Sequence, residues 1–329
     1  GLKLALATLN VGRLTLPAAS TGIAKWCLHV ARQWSAKRVQ WGHPIGEHEA
    51  IALKLGYMAS HTFAMDAMSW LTAAMADDTK KDIRLEAAMA KYFCTAHSWT
   101  IVDETLQIRG GQGYEQASSL HQRGADYWPV ERVMRDARIN LIIEGTTEIM
   151  HLFIAREALD PHLSRSLPLL NSRTPLPQKI QTLFKLMGYY AIWYPKLWLP
   201  NFSSSTLPQP LAQHMTYVQE TSKRLARIVF HNMLRYQQRL EAKQSILNRI
   251  VDIGTDLFAI AVTCSYAHAL VKEGKKNALD LADLFCREAK KRIEEAMRSG
   301  HYNNDLKKIS VARKILAKEY QWLENDIVV

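Results

Sequence analysis

The stretch "INLIIEGTTEIMHLF", Ile139 to Phe153, decides how this chain is read. Two apolar runs with helical spacing flank Glu144-Gly145-Thr146, so the stretch reads as two helices broken at a tight turn. Two readings of the carboxylate at that break stand side by side. In the plain structural one, Gly145 ends the first helix, Thr146 caps the second and Glu144 points into water. In the chemical one, Glu144 sits where solvation is poor, and a carboxylate held there becomes a stronger base.

Helical periodicity extends in both directions from this break. Helices are expected over about 2–35, 46–76, 80–109, 128–143 and 147–158, then 177–192, 211–243, 246–273, 276–299 and 306–323. No alternating strand pattern appears, so the fold class is all-α. Gly42, Pro44 and Gly46 mark one turn, and Gly110, Gly111 and Gly113 another. The Pro-rich and aromatic stretch from Pro161 to Pro210 is the natural boundary. It divides the chain into a helical bundle over 1–162, a linker over 163–210 and a helical extension over 211–329.

With 329 residues, 48% of them apolar, the chain is long enough for two helical cores. No run of about 18 apolar residues stands out as a membrane span. The first residue is Gly, and the apolar start lacks the charged leader and cleavage site of a signal peptide. Cys27, Cys94, Cys264 and Cys286 have no metal-type spacing and read as reduced core thiols of an intracellular protein; no metal site is expected.

The net charge of +11 is unevenly placed. Residues 1–162 carry 17 basic and 17 acidic side chains, and residues 163–329 carry 25 against 14. The second half is thus expected to face something anionic, either nucleic acid or an acidic membrane surface. No nucleic-acid recognition motif is visible, which sets that partner aside. Between Leu183 and Phe202, the rings of Tyr189, Tyr190, Trp193, Tyr194, Trp198 and Phe202 accompany Lys185 and Lys196. That pattern fits a helix lying on a membrane, and equally one whose rings pack onto the first domain.

Several smaller constellations carry polar chemistry. In "SAKRVQWGHPIGEHEA", Lys37 and Arg38 at a helix end complement its dipole, and Arg38 also has the shape to grip a diphosphate. In "LQIRGGQGYE", three glycines within four positions let a backbone approach a phosphate or flat ring, though the turn lacks the strand of a dinucleotide fingerprint. Arg135, Asp136 and Arg138 sit one helical turn before the break, and Arg135 with Asp136 also reads as a structural ion pair. Asn10 and Arg13 lie one turn apart in an apolar helix and need partners, either a core hydrogen bond or a ligand.

Taken in order, N-x-x-R, K-R-x-x-W-G, H-E, Q-I-x-G-G-x-G-Y, P-V-E-R-x-x-R-D and E-G-T-x-E-I resemble the C-terminal helical domain of the acyl-CoA dehydrogenases. The resemblance covers about residues 1–160. It implies an antiparallel helical bundle in which Glu144 is the base that removes the α-proton of a fatty acyl-CoA thioester. The β-hydrogen then leaves as hydride to N5 of FAD, giving a trans-2-enoyl-CoA. It assigns FAD contacts to Arg38, Gln40, Trp41, His48, Glu49, Thr146 and Glu148. Gln107, Ile108, Arg109, Gly110 and Gly111 fall on a loop that reaches the FAD of a neighbouring subunit, implying a homodimer or larger assembly. Asn10, Arg13 and Gly145 fall on the acyl-CoA side.

Two positions depart from the family. Glu49 stands where an amide is usual, and Arg109 replaces an aromatic or small apolar residue. Arg109 is expected to pair with the cofactor's phosphates or with Glu115.

Asn10 and the helical extension look like the long-chain and very-long-chain members, which implies long-chain substrates and an electron-transfer flavoprotein as acceptor. The location implied is a bacterial cytoplasm or mitochondrial matrix, with peripheral contact at the inner membrane. Nothing in the sequence supplies the N-terminal helical domain and β-barrel of that family, so the chain is expected to be the C-terminal portion of the enzyme and poorly active alone. A non-catalytic assembly or membrane-docking fragment, and an acyl-CoA oxidase, are the alternatives.

Overall fold

The computed structural model describes residues 2–78, 82–200 and 207–325, with side chains from residue 12 onward except Leu170. Twelve α-helices and one two-residue hairpin are found among them. The first half holds α1 (Leu2–Lys37), the hairpin of β1 (Val39–Gln40) and β2 (His43–Pro44), α2 (Glu49–Ala76), α3 (Arg84–Arg109), α4 (Gly111–Tyr114), α5 (Ala117–Gln122) and α6 (Val130–Arg138). After the Glu144 turn come α7 (Thr147–Leu170), α8 (Leu176–Lys196), α9 (Leu211–Tyr236), α10 (Gln244–Lys272), α11 (Ala278–Ser299) and α12 (Asp305–Leu316).

The apolar stripes on these helices explain their packing. α1 lays Ala24, Cys27 and Ala31 against α3, which contributes Phe93, Cys94 and Ile101; α2 adds Met58, Met65 and Met68. The same core continues into Leu257 and Ile260 of α10 and Phe285 and Ile293 of α11. Burying side chains of this size contributes about 1.5–3 kcal/mol each. All four cysteines are buried free thiols. α10 is long and apolar enough to cross a bilayer, but 67% of its most apolar window is buried, and it packs on α2, α7, α9 and α11 as a core helix.

Three local features differ from the sequence expectation. α7 does not stop before Pro161 but runs through Pro161 and Pro168 to Leu170. Proline's fixed φ is already helical, and its missing N–H removes one backbone bond without forcing the chain apart. A single helix over 211–243 is interrupted at Gln237, whose φ of 48° lies in the left-handed region. The turn near Gly42 is a hairpin whose Trp41 and Gly42 both have positive φ, 49° and 85°, the geometry of a type I′ turn.

Candidate active site

Glu144 and Gly145 are both left-handed, with φ of 57° and 104°. Glycine takes this conformation freely, whereas for glutamate it costs about 1–2 kcal/mol. Such strain concentrates at functional sites. Thr146 then caps α7, its Oγ1 accepting from the Ile149 N–H at 3.4 Å. The turn folds the Glu144 side chain back onto α1, where Gly12 makes room for it. A β-carbon at Gly12 would lie 2.7 Å from Cδ of Glu144 and 2.9 Å from Oε1.

Two cations flank this carboxylate. The Arg13 side chain is buried, with its guanidinium 4.2 Å from the centre of the Phe153 ring. Burial lowers its pKa, partly offset by the charges of Glu144 and Glu157. Lys91, on α3, is 0% exposed and donates to the Gly145 carbonyl at 2.7 Å. Two polar atoms here, Glu144 Oε2 and Arg13 Nε, are buried with no partner within the described residues. Buried polar atoms are ordinarily paired, so an unpaired carboxylate oxygen beside an unpaired guanidinium N–H marks a place prepared for a ligand.

One turn beyond the cap, α7 is tied to the second half of the chain. His151 Nδ1 lies 2.8 Å from the Thr147 carbonyl, and Nε2 lies 2.8 Å from Oδ1 of Asp252 on α10. Tyr92, next to Lys91, donates to the same Asp252 oxygen at 2.8 Å. Burial alone would lower the His151 pKa; its bonds to Asp252 and the Thr147 carbonyl outweigh it and raise the value. α3 therefore grips the segment after Glu144 at two points, directly through Lys91 and through Asp252.

The residues expected to meet a flavin divide into an exposed set and a buried set. Arg38, Gln40, Trp41 and Glu49 are exposed on and beside the hairpin, and Trp41 at its tip is 89% exposed. Arg38 has no carboxylate partner among the described residues. His48 Nε2 donates to the Gln40 carbonyl at 3.0 Å, and its ring meets Trp41 edge-on at 5.6 Å. An unpaired guanidinium, an exposed indole and a neighbouring imidazole fit the diphosphate and flat ring of a dinucleotide. On the second loop, Gln107, Gly110 and Gly111 are exposed, and a β-carbon at Gly110 or Gly111 would meet nothing within 4 Å.

Ile108 and Arg109 belong to the interior, which corrects the expectation for Arg109. Its side chain is 3% exposed, lies 4.8 Å from the Trp34 ring centre and donates from Nη2 to the Asp126 carbonyl at 2.8 Å. Glu115 is paired instead with Arg123 at 2.6 Å. Arginine replaces an apolar side chain here because its stem packs and its head finds a carbonyl. Glu148 is exposed in the first turn of α7, where its own backbone N–H and Thr146 hold its pKa down. Asn10 lies in α1, and its side chain is outside the described residues. The Arg135 and Asp136 ion pairs run to Glu131 and Arg132, one helical turn away, and not to each other.

Lys91 is the site residue that sequence reasoning missed. Its signal was available: in "AAMAKYFCTA" it occupies the helical face that buries Ala87, Ala88 and Cys94. A lone lysine on such a stripe needs a buried acceptor. A cavity of about 660 Å³ between Trp26, Tyr127, Trp128 and Val133 includes none of these site residues.

Residues 1–159 match the acyl-CoA dehydrogenase C-terminal domain, and residues 209–321 match the ACAD9/ACADV C-terminal domain. The chain belongs to the acyl-CoA dehydrogenase family. It is 46% identical to the probable acyl-CoA dehydrogenase FadE10 of Mycobacterium tuberculosis over 100% of its own length and 51% of that protein. It is 28% identical to the very long-chain specific acyl-CoA dehydrogenase of Homo sapiens mitochondria, over 90% of this chain and 44% of that one. Among solved structures, a Bacillus anthracis acyl-CoA dehydrogenase complexed with FAD superimposes with a TM-score of 0.70 at 25% identity, covering 95% of this chain and 52% of that one. The chain thus spans about half the length of the curated relatives it matches.

Proposed function

We propose that this chain is the C-terminal portion of an FAD-dependent acyl-CoA dehydrogenase that converts long-chain fatty acyl-CoA to trans-2-enoyl-CoA. The observation that carries the reading is the Glu144 carboxylate, held by a strained left-handed turn against Gly12 with one oxygen buried and unpartnered. Glu144 accepts the α-proton of the thioester on that oxygen. Arg13, buried beside it with a free N–H, orients the acyl-CoA side and balances charge as the proton moves. Bound FAD supplies the acceptor for the β-hydrogen, which leaves as hydride. Arg38, with Trp41 and His48 beside it, would hold that cofactor, the guanidinium being suited to its diphosphate. The exposed Gln107, Gly110 and Gly111 edge would meet the FAD of a second copy in a homodimer. An electron-transfer flavoprotein takes the electrons onward.

Long-chain preference is supported by the match of 209–321 to the ACAD9/ACADV C-terminal domain. A peripheral membrane contact through α8 belongs to the same reading. Leu176, Ile180, Leu183, Phe184, Met187 and Ile192 are exposed along that helix. An apolar row of this extent, in the half of the chain that carries the excess positive charge, suits an anionic membrane surface. The rings of Tyr190, Trp193 and Tyr194 turn the other way, packing on His162 of α7 and Phe230 of α9. Phe202 lies outside the described residues.

The test is flavin absorbance of the complete enzyme on anaerobic addition of a long-chain acyl-CoA. Bleaching, followed by reoxidation by electron-transfer flavoprotein without peroxide in air, is expected. Flavin that does not bleach contradicts the dehydrogenation, and stoichiometric peroxide transfers the chain to the oxidases.

A further inference from the structure

Lys91 is among the largest fully buried side chains of the described residues, and it is a charged one. Burying an ammonium costs several kcal/mol unless it is well partnered, and a leucine or methionine would fill the same volume without that cost. Its partner is therefore informative. The ammonium donates to the Gly145 carbonyl at 2.7 Å, across 54 residues of sequence. Gly145 is the second of the two left-handed residues whose conformation aims Glu144 at Gly12. The backbone bonds on either side, Ile143 N–H to the Ile139 carbonyl and Met150 N–H to the Thr146 carbonyl, belong to the flanking helical segments. The turn between them is strained, and a strained turn persists only when its surroundings over-determine it.

We propose that Lys91 is a positioning residue for the base: through the Gly145 carbonyl it locks the left-handed Glu144–Gly145 turn and so fixes where the carboxylate points. The proposal rests on the reading of Glu144 as the base. It gives the ammonium a second effect, because its charge lies beside the same carboxylate as that of Arg13. Those two groups, Arg13 on α1 and Glu144 itself, are the charges that act on Lys91. Burial, helped by the charge of Arg13 and opposed by that of Glu144, brings its pKa down to about 8. The clamp thus changes charge inside the pH range in which an enzyme is assayed.

The experiment compares Lys91→Met, Lys91→Arg and Glu144→Gln in the complete flavoenzyme. A base displaced by about 1 Å loses on the order of 100-fold in rate. Lys91→Met is accordingly expected to lower kcat about 100-fold, with KM and flavin content unchanged. Wild-type kcat is expected to fall as pH rises through about 8, where Lys91 loses its proton. Lys91→Arg, charged throughout, is expected to lack that fall and to recover part of the kcat lost in Lys91→Met. A wild-type kcat in Lys91→Met overturns the proposal. Should Lys91→Met fail to fold, Lys91→Arg decides alone, and an unchanged alkaline limb overturns it. Glu144→Gln separates the two levels. If it is inactive while Lys91→Met is normal, only the positioning role falls; if Glu144→Gln itself turns over, the assignment of the base falls.

Discussion

Gly12 and Glu144, 132 positions apart in the chain, share one space: a β-carbon on Gly12 would lie 2.7 Å from the Glu144 carboxyl carbon. Gly12 lies inside α1, where glycine is ordinarily a liability of about 0.5–1 kcal/mol relative to alanine. The turn and the gap are two halves of one device, because the left-handed Glu144 needs somewhere to place its carboxylate.

Gly12→Ala separates stability from activity. Helix propensity favours alanine, and the atoms it meets are the far end of a movable side chain, so stability is expected to change by about 1 kcal/mol or less. The displaced carboxylate is expected to lower kcat about 100-fold. Thermal unfolding and steady-state kinetics on the same preparation check both. An alanine variant with normal kcat contradicts the placement of Glu144.

The two halves of the chain are joined by an ion pair between a buried aspartate and a half-buried arginine, with a histidine attached. Arg292 on α11 donates to both oxygens of Asp256 on α10, at 2.7 and 3.0 Å, and from Nη1 to Nε2 of His61 on α2 at 3.1 Å. Arg292→Met leaves Asp256 without its counter-charge and is expected to cost about 3 kcal/mol, measured by urea unfolding. Arg292→Met combined with Asp256→Leu is expected to restore most of it, since both charges of the pair are then removed together. A double variant no more stable than the single one contradicts this account.

His61 makes stability depend on pH with a definite sign. Burial, assisted by Arg292, pushes its pKa down to about 3. A neutral ring is what the geometry asks for, with Nδ1–H donating to the Tyr57 carbonyl at 3.0 Å and Nε2 accepting from Arg292. Between about 3 and 6.5 the unfolded chain binds the proton and the folded chain does not. The stabilisation is therefore complete above about 6.5 and is lost as pH falls, by about 2 kcal/mol between pH 7 and pH 5. His151, whose pKa is raised, acts in the opposite direction and is lost as pH rises. Urea midpoints of wild type and His61→Gln at the two pH values measure the difference. A slope unchanged in His61→Gln contradicts the assignment.

Much of this was legible in the sequence because helices announce themselves through periodic apolar residues and through breaks with their own chemistry. Glu144-Gly145-Thr146 is the example: glycine, a capping threonine and apolar flanks are all local signals. What escaped were contacts between distant segments. The extension of α7 past Pro161 was hidden because proline is a breaker only on average. The burial of Arg109 depends on Trp34 and Asp126, neither of which is near it in sequence. Lys91 is a single charged residue on a buried helical stripe, and its meaning appears only when Gly145 arrives from 54 residues away. The hairpin at Trp41 is too short for an alternating pattern to register.

The central claim is that Glu144 is the base, and substituting it by glutamine in the complete enzyme tests that most directly. Glutamine keeps the shape of the side chain and removes its ability to take a proton. Flavin content and acyl-CoA binding are predicted to be retained while turnover is abolished. A Glu144→Gln enzyme that turns over at a rate near wild type would contradict the account, whatever its affinity for flavin.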